Sequence, residues 1–327
     1  MNQQLLVSVI IPLLDDRGQA KACLESFLQQ TLPQSAVELI LPSNHVAPEL
    51  ENEVRRSFPD VRITSHPGAT LPALYNAGVS AACGQYVFIT EMHVVAQPDC
   101  LEEAIRYVES RSDSAACCES LGINLSRIAA AEQCVFEEDI KQWKTSGRGK
   151  VTVRGFLIER ETWNRAGGLP EEFGHFSELL MGQTLLESGT QIGYADRSII
   201  GHGNQNSFSE LFAELFEYGQ DEIRCHRLKP EMLSHSPCHD WLLFSNGHWS
   251  RMALRRKAAT NAIRLKVLKL AMTYLPLPSS EWQKLFVNFW QTSIRAGRLD
   301  ELLSYDRSSQ SFEKQSSQRS MTRQKAA

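Results

Sequence analysis

Leu6-Val7-Ser8-Val9-Ile10-Ile11-Pro12 opens the chain as a β-branched apolar run, and it ends on the polar pair Asp15-Asp16. A run without polar alternation predicts a strand buried on both faces, which is the habit of parallel sheets. Working outward, Ala20–Gln30 carries Ala20, Leu24, Phe27 and Leu28 at helical spacing, and Val37–Leu41 is a second apolar run stopped by Pro42. Val61–Thr64 and Tyr86–Thr90 read as further strands, with helices over Leu71–Ala82 and Leu101–Ser110; Pro72 is tolerated in a first helical turn. Strands alternating with helices predict βαβ units, right-handed crossovers and a mostly parallel sheet.

The pattern weakens from Cys118 to Lys150, where the chain reads as helical and polar. A strand is expected again over Val151–Ile158, then a Gly167-Gly168 turn permitting positive φ, a helix over Glu178–Ser188 closed by Gly189, and a strand over Gln191–Ala195. Beyond Ser207 the reading is helical: Ser209–Tyr218, Trp249–Leu275 and Ser280–Ala296. The Ser- and Gln-rich end lacks the apolar surface to offset its ordering entropy. The expected division is therefore a catalytic domain over 1–206, a helical region over 207–300 and a disordered tail over 301–327.

Ligands of an open parallel sheet bind at the carboxyl ends of its strands. Those ends carry Asp15 and Asp16, Ser43 and Asn44, and Glu91 and His93. Glu91 and His93 stand at i and i+2 of an extended segment, so both side chains can leave on one side and meet one metal ion. The plainer alternative is a polar loop in which His93 makes an ordinary hydrogen bond. Glu178 opens a helix, where an acid also suits the dipole. Short polar residues at strand and helix ends are common turn formers as well.

Several of these segments resemble the family 2 glycosyltransferases. Val7–Pro12 is similar to the family's opening strand, Cys23–Thr31 to its first helix, and Glu38-Leu39-Ile40 to the start of its second strand. Asn76-Ala77-Gly78 and Ala82–Val87 are similar to the helix and strand that lead to its metal-binding DxD motif, which falls here on Glu91-Met92-His93. Ala166–Leu169 resembles its Gly-Gly turn, and Gly189–Tyr194 continues the likeness to His202. The resemblance covers residues 5–205. It implies a GT-A-type α/β fold and inverting, hexosyltransferase-like transfer from a nucleotide-diphosphate sugar to a hydroxyl acceptor.

It further implies Glu178 as catalytic base, Pro12, Asp15, Ser43, Asn44, Asn76 and Glu91 as donor-binding residues, and Glu91, His93 and His202 as ligands of a divalent metal. An imidazole in that set favours Mn2+ over Mg2+. The sequence departs from the family at two places: ExH replaces DxD, and Ser43-Asn44 replaces paired aspartates after the second strand. A non-catalytic binding or assembly module that keeps the fold is therefore the alternative.

The net charge of −4 on 327 residues gives no reason to expect nucleic acid. The charge is uneven, however. Trp241–Ser280 contains no acid and seven bases, Arg251, Arg255, Arg256, Lys257, Arg264, Lys266 and Lys269, interleaved with apolar residues. This predicts either a cationic helix on an anionic membrane or a packed helix with a solvated basic face. No basic leader precedes the first apolar run and no uncharged run approaches a bilayer's ~20 residues, so the expected location is cytoplasmic, with peripheral contact at the inner face of the membrane. The acceptor class stays open among glycans, lipid-linked saccharides and metabolites. Eight cysteines without CxxC spacing read as reduced thiols, with Cys225-His226 and Cys238-His239 as weak ligand pairs.

Overall fold

A computed structural model describes residues 5–111, 115–124, 126–145, 150–229 and 250–324, with side chains through 304. The chain forms two compact units, Met1–Asn206 and Ser207–Ala327.

In the first unit eight strands form one sheet: β1 (Val7–Ile10), β2 (Val37–Ser43), β3 (Arg62–Ser65), β4 (Tyr86–Thr90), β5 (Val94–Ala96), β6 (Ala115–Gly122), β7 (Gly155–Glu159) and β8 (Ile192–His202). Their order is β3-β2-β1-β4-β7-β6-β8-β5. Among the described residues β1 pairs parallel with β2 and β4, β2 with β3, and β6 with β8; β7 runs antiparallel to β4 and β6, and β5 to β8. The sheet is thus mostly parallel, as expected, with its antiparallel members gathered in the second half.

The alternation of each strand divides the core. Val7, Val9 and Ile11 face one side with Leu24, Phe27, Leu101 and Ile105, from α1 (Ala20–Leu28) and α4 (Cys100–Ser110). Ile10, Val87, Ile89, Phe156 and Ile158 face the other with Tyr75, Val79, Trp163 and Met181. Those last four come from α3 (Leu71–Ala81), α6 (Arg160–Ala166) and α7 (Ser177–Glu187). Helix α3 starts because Thr70 accepts the Ala73 N–H and Pro72 presets the first turn. It lies close to the sheet at Gly78, where a Cβ would run into Ile10 and come within 2.9 Å of Pro42.

Four elements depart from the sequence reading. Helices α2 (Pro48–Ser57) and α6 and strand β5 were not expected, and β6 runs from Ala115 into the stretch read as helical from Cys118, ahead of α5 (Arg127–Thr145). Strand β6 is written in small residues, Ala115-Ala116-Cys117-Cys118, and owes its conformation to β7 and β8 on either side. Gly167, Gly168 and Gly189 have φ of 83°, 76° and 82°, so both glycine turns use the backbone region expected of them.

The second unit contains α8 (Phe208–Leu228), α9 (Arg251–Tyr274) and α10 (Ser279–Gln324). Ser207 and Ser250 cap α8 and α9 by accepting N–H groups of their first turns. Asn261 of α9 donates to the Thr292 carbonyl of α10, and the Trp282 indole donates back to Met272. The expected disordered tail lies almost wholly outside the residues whose side chains are described, and Cys238-His239 lies outside the described residues. Among the described residues no helix is long and apolar enough to cross a membrane.

Candidate metal and donor site

Glu91 and His93 occupy the turn between β4 and β5, and the antiparallel pairing of β5 with β8 sets Val94 opposite His202. That register brings the three expected ligands together. His93 Nε2 lies 3.1 Å from His202 Nε2 and 3.6 Å from Glu91 Oε2, and His202 Nε2 lies 3.2 Å from the same carboxylate oxygen. Both rings are buried and the carboxylate is partly open, with 20% of its surface exposed. Among the described residues this is the one group of three or more His, Cys, Asp and Glu side chains close enough to share an ion.

The far side of each ring fixes its tautomer. His93 Nδ1 sits 2.7 Å from the Asp15 backbone carbonyl, which can only accept, so this nitrogen carries the proton. His202 Nδ1 sits 2.8 Å from Asn204 Oδ1. The Asn204 amide nitrogen donates to the Ala129 carbonyl and to Gln133 Oε1, leaving its oxygen to accept. With both rings neutral, the Nε2 atoms present lone pairs, toward each other and toward a carboxylate. In that state three acceptors face one point, and a cation, a proton or a metal ion, is what relieves their repulsion. Cis ligands of an octahedral ion bound at about 2.1 Å lie about 3 Å apart, so the observed separations fit a divalent metal. Partners behind the rings that set ring orientation and tautomer are the usual support of a histidine metal site.

Electrostatics agree. Burial pushes His202 down to about 3, helped by the Arg154 guanidinium and opposed by Glu91, so the ring is neutral at pH 7. Burial alone would raise Glu91, but His93, His202 and Arg154 together hold its carboxyl well below the usual carboxylate range. Arg154 is a cation that the sequence reading did not single out. It stacks 3.9 Å from the centre of the Phe136 ring and meets Glu132 at 3.4 Å.

Glu178 stands in the first turn of α7, half-buried, its carboxylate accepting the Val153 N–H at 3.0 Å. Burial raises it to about 7; the charge of Glu91 adds to the rise, while Lys150 and the Val153 N–H oppose it. The buried Tyr75 hydroxyl, which donates to the Thr90 carbonyl at 3.1 Å, feels the charges of both Glu91 and Glu178. The two carboxylates thus act on one neighbourhood.

The expected donor residues divide. Asp15 lies at the site, but through its carbonyl; its carboxylate is turned outward to Arg17 at 2.9 Å. Arg17 in turn donates to the Gly203 carbonyl at 2.8 Å, tying the loop after β1 to the residue after His202. Asp15 and Arg17 both have positive φ, 35° and 48°, a strained conformation for non-glycine residues and one found often at binding sites. Pro12 is buried and its carbonyl accepts the Leu14 N–H.

Ser43 is buried with its hydroxyl donated to Glu51, and Asn44 spends its amide on the Ala69 carbonyl and the Val46 N–H. Beside them the exposed His45 bridges Glu51 at 2.9 Å and Ser65 at 2.7 Å, a cluster at the ends of β2 and β3 that the sequence reading missed. Asn76 clamps the Gly-Gly turn: it donates to the Leu169 carbonyl and to Glu171 and accepts the Leu169 N–H. Asn204 was also missed, although its place two residues after His202 was visible; only its buried partners reveal the role.

Residues 8–134 match the family described as glycosyl transferase family 2. No curated protein matches the sequence. Among solved structures the chain is similar to the mannosyltransferase PcManGT from Pyrobaculum calidifontis in complex with GDP-Man and Mn2+. The identity is 15% and the TM-score 0.56, over 91% of this chain and 88% of that one. It is also similar to TarS 1-349 from S. aureus in complex with UDP-GlcNAc, at 12% identity and TM-score 0.51, over 93% and 92% of the two chains. At these identities the likeness is one of fold, the GT-A glycosyltransferase fold.

Proposed function

We propose, from the match of residues 8–134 to glycosyl transferase family 2, that this chain transfers a hexose from a nucleotide-diphosphate sugar to a hydroxyl acceptor with inversion. The observation that carries the reading is the convergence of Glu91 Oε2 and the Nε2 atoms of His93 and His202, at separations of 3.1–3.6 Å, beside the carboxyl end of β4. A divalent ion held there, Mn2+ by the chemistry of two imidazoles, supplies Lewis acidity toward a leaving diphosphate. The chain's own groups do the rest. Arg154 adds positive charge on that side, and the loop from Pro12 to Asp15 lines the donor side. Glu178, poised near 7, takes the proton of the acceptor hydroxyl as the new bond forms. Single displacement by a deprotonated hydroxyl inverts the anomeric centre. Residues 1–206 form the catalytic domain and 207–300 the helical region.

One observation favours a second reading. Ser43 and Asn44 stand where the resemblance places paired aspartates, and both side chains are taken up by Glu51, Ala69 and Val46. A non-catalytic module that keeps the fold would look the same there. Calorimetry and turnover across a panel of GDP, UDP and other nucleotide sugars, with Mn2+ or with chelator, separate the two. Metal-dependent binding with turnover supports the transferase, and absence of binding to every donor supports the module.

A further inference from the structure

Helix α9 has two apolar stripes, and among the described residues only one of them is packed. Leu254, Asn261, Leu268 and Met272 are buried. At 100° per residue they fall within about 40° of one another, a single seam, along which Asn261 and Met272 meet Thr292 and Trp282 of α10. Met252, Ile263, Val267, Leu270 and Tyr274 are between 57% and 75% exposed. On the same wheel they fall within about 60° of one another and lie roughly opposite the seam. A helix that only had to pack would carry polar residues there. Arg251, Arg255, Lys266 and Lys269 line one flank of this outer stripe, Lys257 and Arg264 the other, and Arg256 lies within it. The helix contains seven bases and no acid.

We propose that the outer face of α9 is a docking surface for an anionic lipid bilayer, lying in the plane of the interface. A bilayer is the occupant whose chemistry matches both parts: acyl chains for a narrow row of Ile, Val, Leu, Met and Tyr, and anionic headgroups for the bases on both flanks. Long Lys and Arg stems let the charges reach the headgroup layer while the stripe sinks. A second copy of the chain is disfavoured, because two such helices face to face would bring fourteen like charges together. The helix cannot span the bilayer, since no described helix is apolar enough. This docking does not rest on the transfer reaction and stands or falls separately from it.

The test uses the full chain with phosphatidylcholine vesicles and with vesicles containing phosphatidylglycerol. Flotation should recover at least about tenfold more protein with the anionic vesicles, and 0.5 M NaCl should remove most of that difference. The triple variant Ile263→Ser, Val267→Ser, Leu270→Ser keeps every charge and alters only exposed side chains. It should lose about tenfold or more of the binding while circular dichroism and melting stay unchanged. The double variant Lys266→Glu, Lys269→Glu should do likewise. Equal recovery with neutral vesicles, no recovery with anionic ones, or full binding by the triple variant would each overturn the proposal. So would concentration-dependent self-association that the triple variant abolishes without vesicles, which would assign the stripe to a second copy. Turnover on a soluble acceptor, measured in parallel, reports on the transfer reaction alone.

Discussion

His93 and His202, 109 positions apart, meet Nε2 to Nε2 at 3.1 Å, and with both rings neutral neither nitrogen has a proton to offer the other. The Asp15 carbonyl and the Asn204 amide oxygen have taken both protons to the far sides of the rings. Such a contact is unfavourable by itself and becomes favourable around a cation.

The first prediction follows from that contact. His202→Ala should abolish tight Mn2+ binding, and Asn204→Ala, which touches no metal, should weaken it about 10–100-fold by freeing the ring to turn and change tautomer. Electron paramagnetic resonance of free against bound Mn2+ measures both, with melting curves to show that the buried Asn204 site still folds. Unchanged affinity in His202→Ala would remove the metal role from this cluster.

Glu178 offers a kinetic and a thermodynamic signature. With its pKa near 7, kcat/KM should fall about tenfold per pH unit as the solution is made more acidic than 7. Glu178→Gln should lower turnover about 10²–10⁴-fold and leave donor affinity nearly unchanged. The stability effect has the opposite sense. A carboxyl whose folded value is raised from 4.5 to about 7 favours the fold below 4.5 and loses that contribution as pH rises through 7. Glu178→Gln should therefore melt higher than the parent at pH 8. A helix-start role alone predicts near-normal turnover and a slightly lower melting point.

Glu51 should behave in the reverse way. Burial would raise it, but hydrogen bonds from Arg55, Ser43 and His45 outweigh burial and hold it at about 2. The stabilisation is present above 4.5 and is lost as pH falls toward 2. Glu51→Gln should cost about 1–3 kcal/mol at pH 7 in urea titrations. The gap between variant and parent should close as the pH is lowered from 4.5 toward 2, and a gap that does not narrow would show that shape, not charge, is what matters there.

The helical unit is sensitive where its backbones touch. A Cβ at Gly219 of α8 would come within 3.0 Å of the Arg298 nitrogen and strike the Ile294 carbonyl of α10; one at Gly297 would strike the Phe216 carbonyl. Neither obstacle is a side chain that could swing away. Gly219→Ala and Gly297→Ala should each destabilise the protein by about 1–3 kcal/mol, read as a lower urea midpoint, despite the better helix propensity of alanine.

Much of this protein was legible in one dimension. The strands β1, β2 and β4 declare themselves because a strand buried on both faces is mostly apolar without alternation, and α1, α3 and α4 because a helix packed on one face repeats every three to four residues. Glu91 and His93 could be named because sheet topology assigns ligands to strand ends, and Glu178 because the resemblance to a known family singles it out. Strand β6 could not be read, since Ala and Cys carry no strand preference of their own and its extension comes from the neighbours on each side. The union of His202 with His93 was beyond local reading too, because it depends on the register of β5 against β8. The same holds for α9, where composition alone could not say whether its apolar residues were used up in packing. Local sequence determines which surfaces need burial, but only the assembled chain decides which partner each one meets, because burial and lone-pair direction are properties of contacts between residues far apart in the chain.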